Sequence, residues 1–255
     1  MAATKLRILQ VMRAPVGGLF RHVADLTRAL TADGHDVGLV VDSLANDAQT
    51  ESGLSQLLPH ASLGIHRYDM PRVLGRGDLV TPWAVRRLQR SLQIDVLHGH
   101  GAKGGFYARL AKLAGSSAVT IYTPHGGVLH FDKASLSGRL FHFLERGLMR
   151  QTGAIVFESA YAQQTYGTLI GRPACPAVVI HNGLAEGEFI PVAADADAAD
   201  FVFVGELREL KGVHTLIEAL ANVRRTDGTP ATLVMVGDGG SRAALVRLLP
   251  PHNAM

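Results

Sequence analysis

The chain has 255 residues, a formal charge of +3, 47% apolar residues and 18% charged residues. That is enough for one large or two modest domains with a buried core. The small positive charge favours anionic partners, but with no basic tract and no basic stripe with aromatics it does not point to nucleic acid. The opening MAATKLRILQVM reads as too short and too charged for a secretory leader, and no apolar run of about 18 residues occurs that would span a membrane. The single cysteine, Cys175 in GRPACPAV, excludes an intramolecular disulfide and reads as a small buried or loop residue. A reducing, cytoplasmic location is expected.

Short apolar runs alternate with helical periodicity along the chain. Strands are predicted over residues 6–12, 36–41, 63–67, 96–98, 118–123, 154–157 and 178–180. Helices are predicted over 18–33, 81–92, 102–114, 136–150 and 160–169. Such alternation predicts a parallel sheet covered on both faces. Residues 185–200, AEGEFIPVAADADAAD, break the pattern with Pro191 and small or acidic residues and read as a linker. The alternation then resumes with strand 201–204, helix 212–225, strand 232–236 and helix 241–249, before two prolines stop the last helix. Two βα units are fewer than the roughly five or six strands of a free-standing doubly wound domain, so the second domain is expected to be incomplete.

Ligands of an open parallel sheet bind beyond the carboxyl ends of its strands. Gly17-Gly18 follow the first strand and open the first helix, where a glycine lets the backbone approach a pyrophosphate. His98 and His100 end the fourth strand, Thr123-Pro124-His125-Gly126-Gly127 the fifth, Glu158-Ser159 the sixth and His181-Asn182-Gly183 the seventh. These residues point to one cleft. VGGLFRH is not a dinucleotide fingerprint, because Arg21 stands where the third glycine would fall. His98 and His100 have H-x-H spacing and share a strand face, but with no third ligand evident nearby no metal is expected. Asp195-Ala196-Asp197 matches a short D-x-D pattern but lies in the Ala-rich linker and is read as incidental. In VFVGELRELKGVHTLIEAL (202–220), a strand, the Gly205 turn and a helix led by Lys211-Gly212 make a candidate anion site, with Lys211 as a point charge for phosphate.

That last stretch resembles the G-R-L-x-x-x-K-G signature opening the C-terminal domain of retaining glycosyltransferases of family 4, which have the GT-B fold. VGGLFRHVADLTRALTADGHDV, IDVLHGHGAKGG, TPHGG, VFESAYA, VIHNG and MVGDGG match the same family in order, from residue 6 to about residue 247. The resemblance implies an α/β protein of GT-B type: a Rossmann-like parallel-sheet domain (1–184), a linker (185–200) and an incomplete second Rossmann-like domain (201–255). It implies retaining transfer of a sugar from a nucleotide-sugar donor to a glycan or lipid-linked acceptor, with no cofactor and no metal. By the same resemblance His125 sits beside the donor sugar, Gly17 and Gly18 face the donor diphosphate, and Gly205, Arg208 and Lys211 bind it from the second domain. His100, Lys103, Ser159 and Asn182 line the cleft on the acceptor side.

Two departures from the family bear on activity. Its G-R is here Gly205-Glu206, a carboxylate that repels pyrophosphate unless Arg208 takes over the arginine's role. The family's E-x7-E motif has no counterpart, since no glutamate follows Gly239. Weak or absent transfer is therefore expected of the chain as it stands, with poor solubility where missing strands would pack. A non-catalytic fragment binding acceptor, membrane or a partner protein is the alternative reading. An epimerase on the same fold would need catalytic carboxylates, and only Glu158 offers itself. Basic faces on helices 81–92 (Trp83, Arg86, Arg87, Arg90) and 136–150 (Arg139, His142, Arg146, Arg150) read as solvated surfaces, with peripheral contact to anionic lipid at the inner membrane face as the other possibility.

Overall fold

A computed structural model describes residues 4–44, 47–72 and 74–248. The chain divides into two compact units, Met1–Glu188 and Phe189–Met255. The expectations for residues 249–255 lie outside the described residues.

In the first unit, β1 (Arg7–Val11), β2 (Asp36–Asp42), β3 (Ile65–Tyr68), β4 (Val96–His100), β5 (Val119–Thr123), β6 (Ala154–Phe157) and β7 (Ala177–Val179) alternate with helices. The helices are α1 (Gly17–Ala32), α2 (Ala48–Leu57), α3 (Gly77–Ser91), α4 (Gly101–Leu113), α5 (Leu136–Leu148) and α6 (Ala160–Leu169). The strands form one parallel sheet in the order β3-β2-β1-β4-β5-β6-β7. Strand order reverses between β1 and β4, the point at which doubly wound sheets open a crevice.

Strands β1 and β2 carry buried apolar residues on both sides because both faces are covered. Leu39 and Val41 of β2 pack with Val23 and Ala24 of α1 and with Leu54 and Leu57 of α2. On the other face, Leu9, Val11, Val40 and Leu97 meet Val85 of α3 and Tyr107, Ala108 and Ala111 of α4. Tyr122, Ile155 and Phe157 close the far side against Ala162 and Tyr166 of α6.

Helix α4 approaches the sheet more closely than side chains permit. A Cβ added to Gly99 would lie 2.6 Å from Gly105 Cα and 2.7 Å from the Gly104 carbonyl oxygen, and one added to Gly104 would strike the Val11 carbonyl. The glycines of HGHGAKGG are thus a packing requirement, and they bring the first turn of α4 against the ends of β1 and β4. Further along α4, Arg109 forms a buried bidentate pair with Glu145 of α5, at 2.6 and 2.8 Å. Tyr166 Oη donates to the same carboxylate at 3.1 Å, and the guanidinium lies 4.0 Å from the Tyr122 ring centre.

Several predicted elements shift. Helix α3 begins at Gly77 rather than residue 81 and contains Pro82. Asp78 accepts from the Gly75 amide at 2.9 Å, and the Thr81 hydroxyl donates to the Asp69 carbonyl at 2.7 Å, so the preceding turn is anchored. Helix α5 turns inward at His142, which is buried with Nε2 3.2 Å from the Val128 carbonyl oxygen. His142 therefore does not belong to the outer basic face on which the periodicity put it. Arg146 is likewise engaged, donating to the carbonyls of Leu169 and Ile170. Among its large apolar residues, α5 leaves Leu136, Leu140 and Phe143 exposed.

The second unit pairs β8 (Phe201–Val204) with β9 (Leu233–Val236) in parallel, with α7 (Val213–Leu220) and α8 (Arg242–Leu248). Its core is Leu207, Val213 and Leu245, with Phe203, Ile217 and Met235 against them. Helix α7 ends at Leu220 rather than at the predicted residue 225. Beyond it the chain turns back on itself, because the Asp200 carboxylate gathers Arg225 Nε at 2.9 Å and the Thr232 amide at 2.7 Å. The loops after β8 and β9 interlock backbone to backbone: Leu207 N donates to the Asp238 carbonyl at 2.8 Å, and a side chain on Gly237 would strike the Gly205 carbonyl.

Candidate functional site

The switch point between β1 and β4 is lined by imidazoles. Register pairs Gln10 with His98, so Gln10, His98 and His100 project from the same sheet face, the one carrying α1. His22 reaches this place from the second turn of α1, and His125 from the loop after β5. The ring centres of His22 and His125 are 5.0 Å apart, those of His98 and His100 3.9 Å.

A chain of hydrogen bonds fixes the rings. His100 Nε2 lies 2.6 Å from Gln10 Oε1, which can only accept, so the Nε2 proton is on His100. The His100 Nδ1 lone pair then accepts from His125 Nε2–H at 3.1 Å. His125 is left with Nδ1 as an acceptor. His98 is held apart by Thr123 Oγ1 at 2.9 Å.

His125 has φ 49°, in the left-handed region that side chains disfavour, and Gly126 and Gly127 continue the tight turn. Glu158, at the end of β6, braces it by accepting from the Gly126 amide at 3.1 Å. Burial pushes the whole cluster toward the neutral form. It lowers His125 to about 4 and His98 to about 3, assisted by the neighbouring imidazoles, and it lowers His100 and His22 as well.

Two helix N-termini face the crevice without a side-chain cap. α1 begins at Gly17 after Val16, and α4 at Gly101 after His100. By contrast, Ser135 and Ser159 cap α5 and α6. Free first-turn N–H groups suit an anion.

The structure brings His100 and His125 together, with Gly17 and Gly18 opening the helix that carries His22. It engages other predicted residues elsewhere. The Lys103 amine lies 2.5 Å from Asp78 Oδ1, and its stem lines an apolar hollow with Phe106, Val128 and Phe131. The Ser159 hydroxyl accepts from the Ala162 amide at 3.1 Å. Asn182 is exposed beyond β7. In the second unit Lys211 is exposed, and Arg208 Nε lies 3.0 Å from Glu206 Oε2.

Gln10 was not among the residues predicted from sequence. Its one signal is a polar side chain inside the apolar run RILQV, whose significance depends on the pairing with β4.

A histidine-lined crevice at the switch point of a parallel α/β unit, followed by a smaller parallel βα unit, defines the class: the described elements are those of GT-B glycosyltransferases. Residues 16–186 match the family model described as Glycosyltransferase Family 4, and residues 188–250 match Glycosyl transferases group 1. The first match covers more than half of the chain, and the chain belongs to that family. A curated relative, a glycogen synthase of Mycobacterium tuberculosis, is 27% identical over 260 residues, covering 94% of this chain and 62% of its own length. Among solved structures, Anabaena HepE in complex with UDP-glucose superposes with a TM-score of 0.70 at 18% identity, covering 95% of this chain and 64% of that one. A glycosyltransferase from Rickettsia africae gives 0.67 at 16%, covering 96% and 63%. The chain thus spans slightly under two thirds of the length of these relatives. Among the described residues no helix is long and apolar enough to cross a membrane.

Proposed function

We propose that the chain binds a nucleotide-sugar donor and serves transfer of its sugar, with retention, to a carbohydrate or lipid-linked acceptor. The observation that carries this reading is the convergence of His100 and His125 with the uncapped first turns of α1 and α4 at the switch point. The UDP-glucose complex of HepE supports a uridine diphosphate donor.

In transfer, the bond between the anomeric carbon and a diphosphate oxygen breaks, the diphosphate leaves with the electron pair and takes up the proton of the acceptor hydroxyl, and the acceptor oxygen bonds to the anomeric carbon. In the first unit, backbone N–H groups at Gly17 and Gly18 suit the charge that develops there; in the second unit, taken by itself, Lys211 is a point charge suited to phosphate. His125 is neutral near pH 7, and its Nδ1 accepts a hydrogen bond from a donor-sugar hydroxyl. The Gly205 turn lets the diphosphate approach the backbone. Arg208 beside Glu206 contributes less than an unpaired arginine would, because the carboxylate offsets its charge.

Calorimetric titration of the purified chain with UDP and with GDP tests the donor reading. We expect micromolar binding of one of them, weakened about tenfold, about 1.4 kcal/mol, by Lys211→Ala. Absence of binding to both by a cooperatively folding protein would overturn the reading for this chain.

A further inference from the structure

We propose that His22, His100 and His125 form a binding site for one first-row transition-metal ion, zinc being the leading candidate. The three side chains come from three elements, α1, β4 and the loop after β5, and each offers a ring nitrogen within 4.8 Å of the other two. A tetrahedral zinc centre with Zn–N distances of about 2.0–2.1 Å separates its nitrogen ligands by about 3.3 Å. His100 Nδ1 and His125 Nε2 already stand 3.1 Å apart. A ring nitrogen of the part-buried His22 lies within 4.8 Å of the other two, so closing the set asks no more than roughly 1.5 Å of inward movement.

The surroundings of His100 are those of a metal ligand. Its Nε2–H is fixed on Gln10 Oε1 at 2.6 Å, which leaves Nδ1 unprotonated and aimed at the other two rings. Ligating imidazoles characteristically donate their second N–H to a carbonyl or carboxylate oxygen in this way. When the ion binds, the proton on His125 Nε2 moves to its Nδ1, and both facing lone pairs turn to the metal. No net proton or electron change is needed. His98 is excluded from the set, because its Nε2 is engaged with Thr123 and only its ring stacks near His100. An all-imidazole set selects zinc, cobalt, nickel or copper over magnesium or calcium, which prefer oxygen.

This inference does not rest on the donor reading, because it concerns three side chains of the first unit and is tested without nucleotide. Its consequence for that reading is competition: the ion would take His125 Nδ1 out of its acceptor role and would act as an inhibitor rather than a cofactor.

The test is titration of the purified, metal-free chain with Co²⁺, followed by visible absorption, and with Zn²⁺ against a chromophoric chelator. We expect one equivalent bound with the intense absorption of a tetrahedral centre. Gln10→Leu should weaken binding about 10–100-fold, and His22→Ala and His125→Ala should each abolish the spectrum, while His60→Ala leaves it unchanged. Zn²⁺ should also raise the wild-type melting temperature but not that of His22→Ala, which keeps the result interpretable if one variant folds poorly. A weak octahedral spectrum, no binding, or wild-type affinity in both His22→Ala and His125→Ala would overturn the proposal.

Discussion

Asp78 shows how one buried carboxylate orders its surroundings. It accepts from the Tyr107 hydroxyl at 2.7 Å, from the Lys103 amine and from the Gly75 amide. Burial alone would raise its pKa, but these donors together hold it below the ordinary carboxylate value of 3.8. A carboxyl whose folded pKa is depressed adds stability above its unfolded pKa and loses it as pH falls through the folded value. Asp78→Asn should therefore cost about 1.5–3 kcal/mol near pH 7. In urea melts the gap between variant and wild type should shrink steadily below pH 3.8. A gap independent of pH would show that the carboxylate charge is not what matters. The same residue explains why Lys103 could be read from sequence only as a cleft residue. Its position on α4 was legible, but Asp78 lies 25 residues away in the chain, and nothing in its local pattern announces the pair. His100 and His125 were legible because strand ends and glycine turns are unusual places for histidine. Gln10 was not, since its meaning comes from strand register.

At the level of elements, α4 is fixed by two different devices. Its first turns are held by glycines that admit the β1 and β4 backbones, and its later turns by the Arg109–Glu145 pair to α5. The glycines belonged to a recognisable motif, whereas Arg109 and Glu145 gave no sign of facing each other across 36 residues. The periodicity of α5 misled at His142 because charge pattern alone does not tell a basic outer face from an inward polar residue meeting a carbonyl. Removing one member of a buried pair leaves the other charged without compensation. Glu145→Gln should cost about 3–5 kcal/mol in denaturant unfolding. Arg109→Met combined with Glu145→Leu should recover much of that loss, because two apolar side chains leave no stranded charge. A double variant as unstable as the single one would show that Tyr166 and Tyr122, not the pair itself, set the energetics of this helix contact.

At the scale of the molecule, strand–helix alternation made the parallel sheet legible, and its covered faces follow from strands, β1 and β2, that are apolar on both sides. The order β3-β2-β1-β4 was not written in any one segment, because it is decided by which strands pair. The second unit follows the same alternation, and its described helices cover one side of its two strands. Phe203 and Met235 face the helices, while Val202, Val204, Val234 and Val236 point the other way and remain exposed, Val204 at 74%. A parallel two-stranded sheet offering an exposed valine face is a candidate for association with another apolar surface. We therefore expect concentration-dependent self-association of this chain in sedimentation velocity. Val204→Lys with Val236→Lys should suppress it while leaving thermal unfolding of the first unit unchanged, since neither side chain enters that unit's core. If the wild-type chain sediments as a monomer at every concentration, or if the double lysine variant associates as strongly, the valine face is not the contact. The exposed Leu136, Leu140 and Phe143 of α5 would then be the next surface to change.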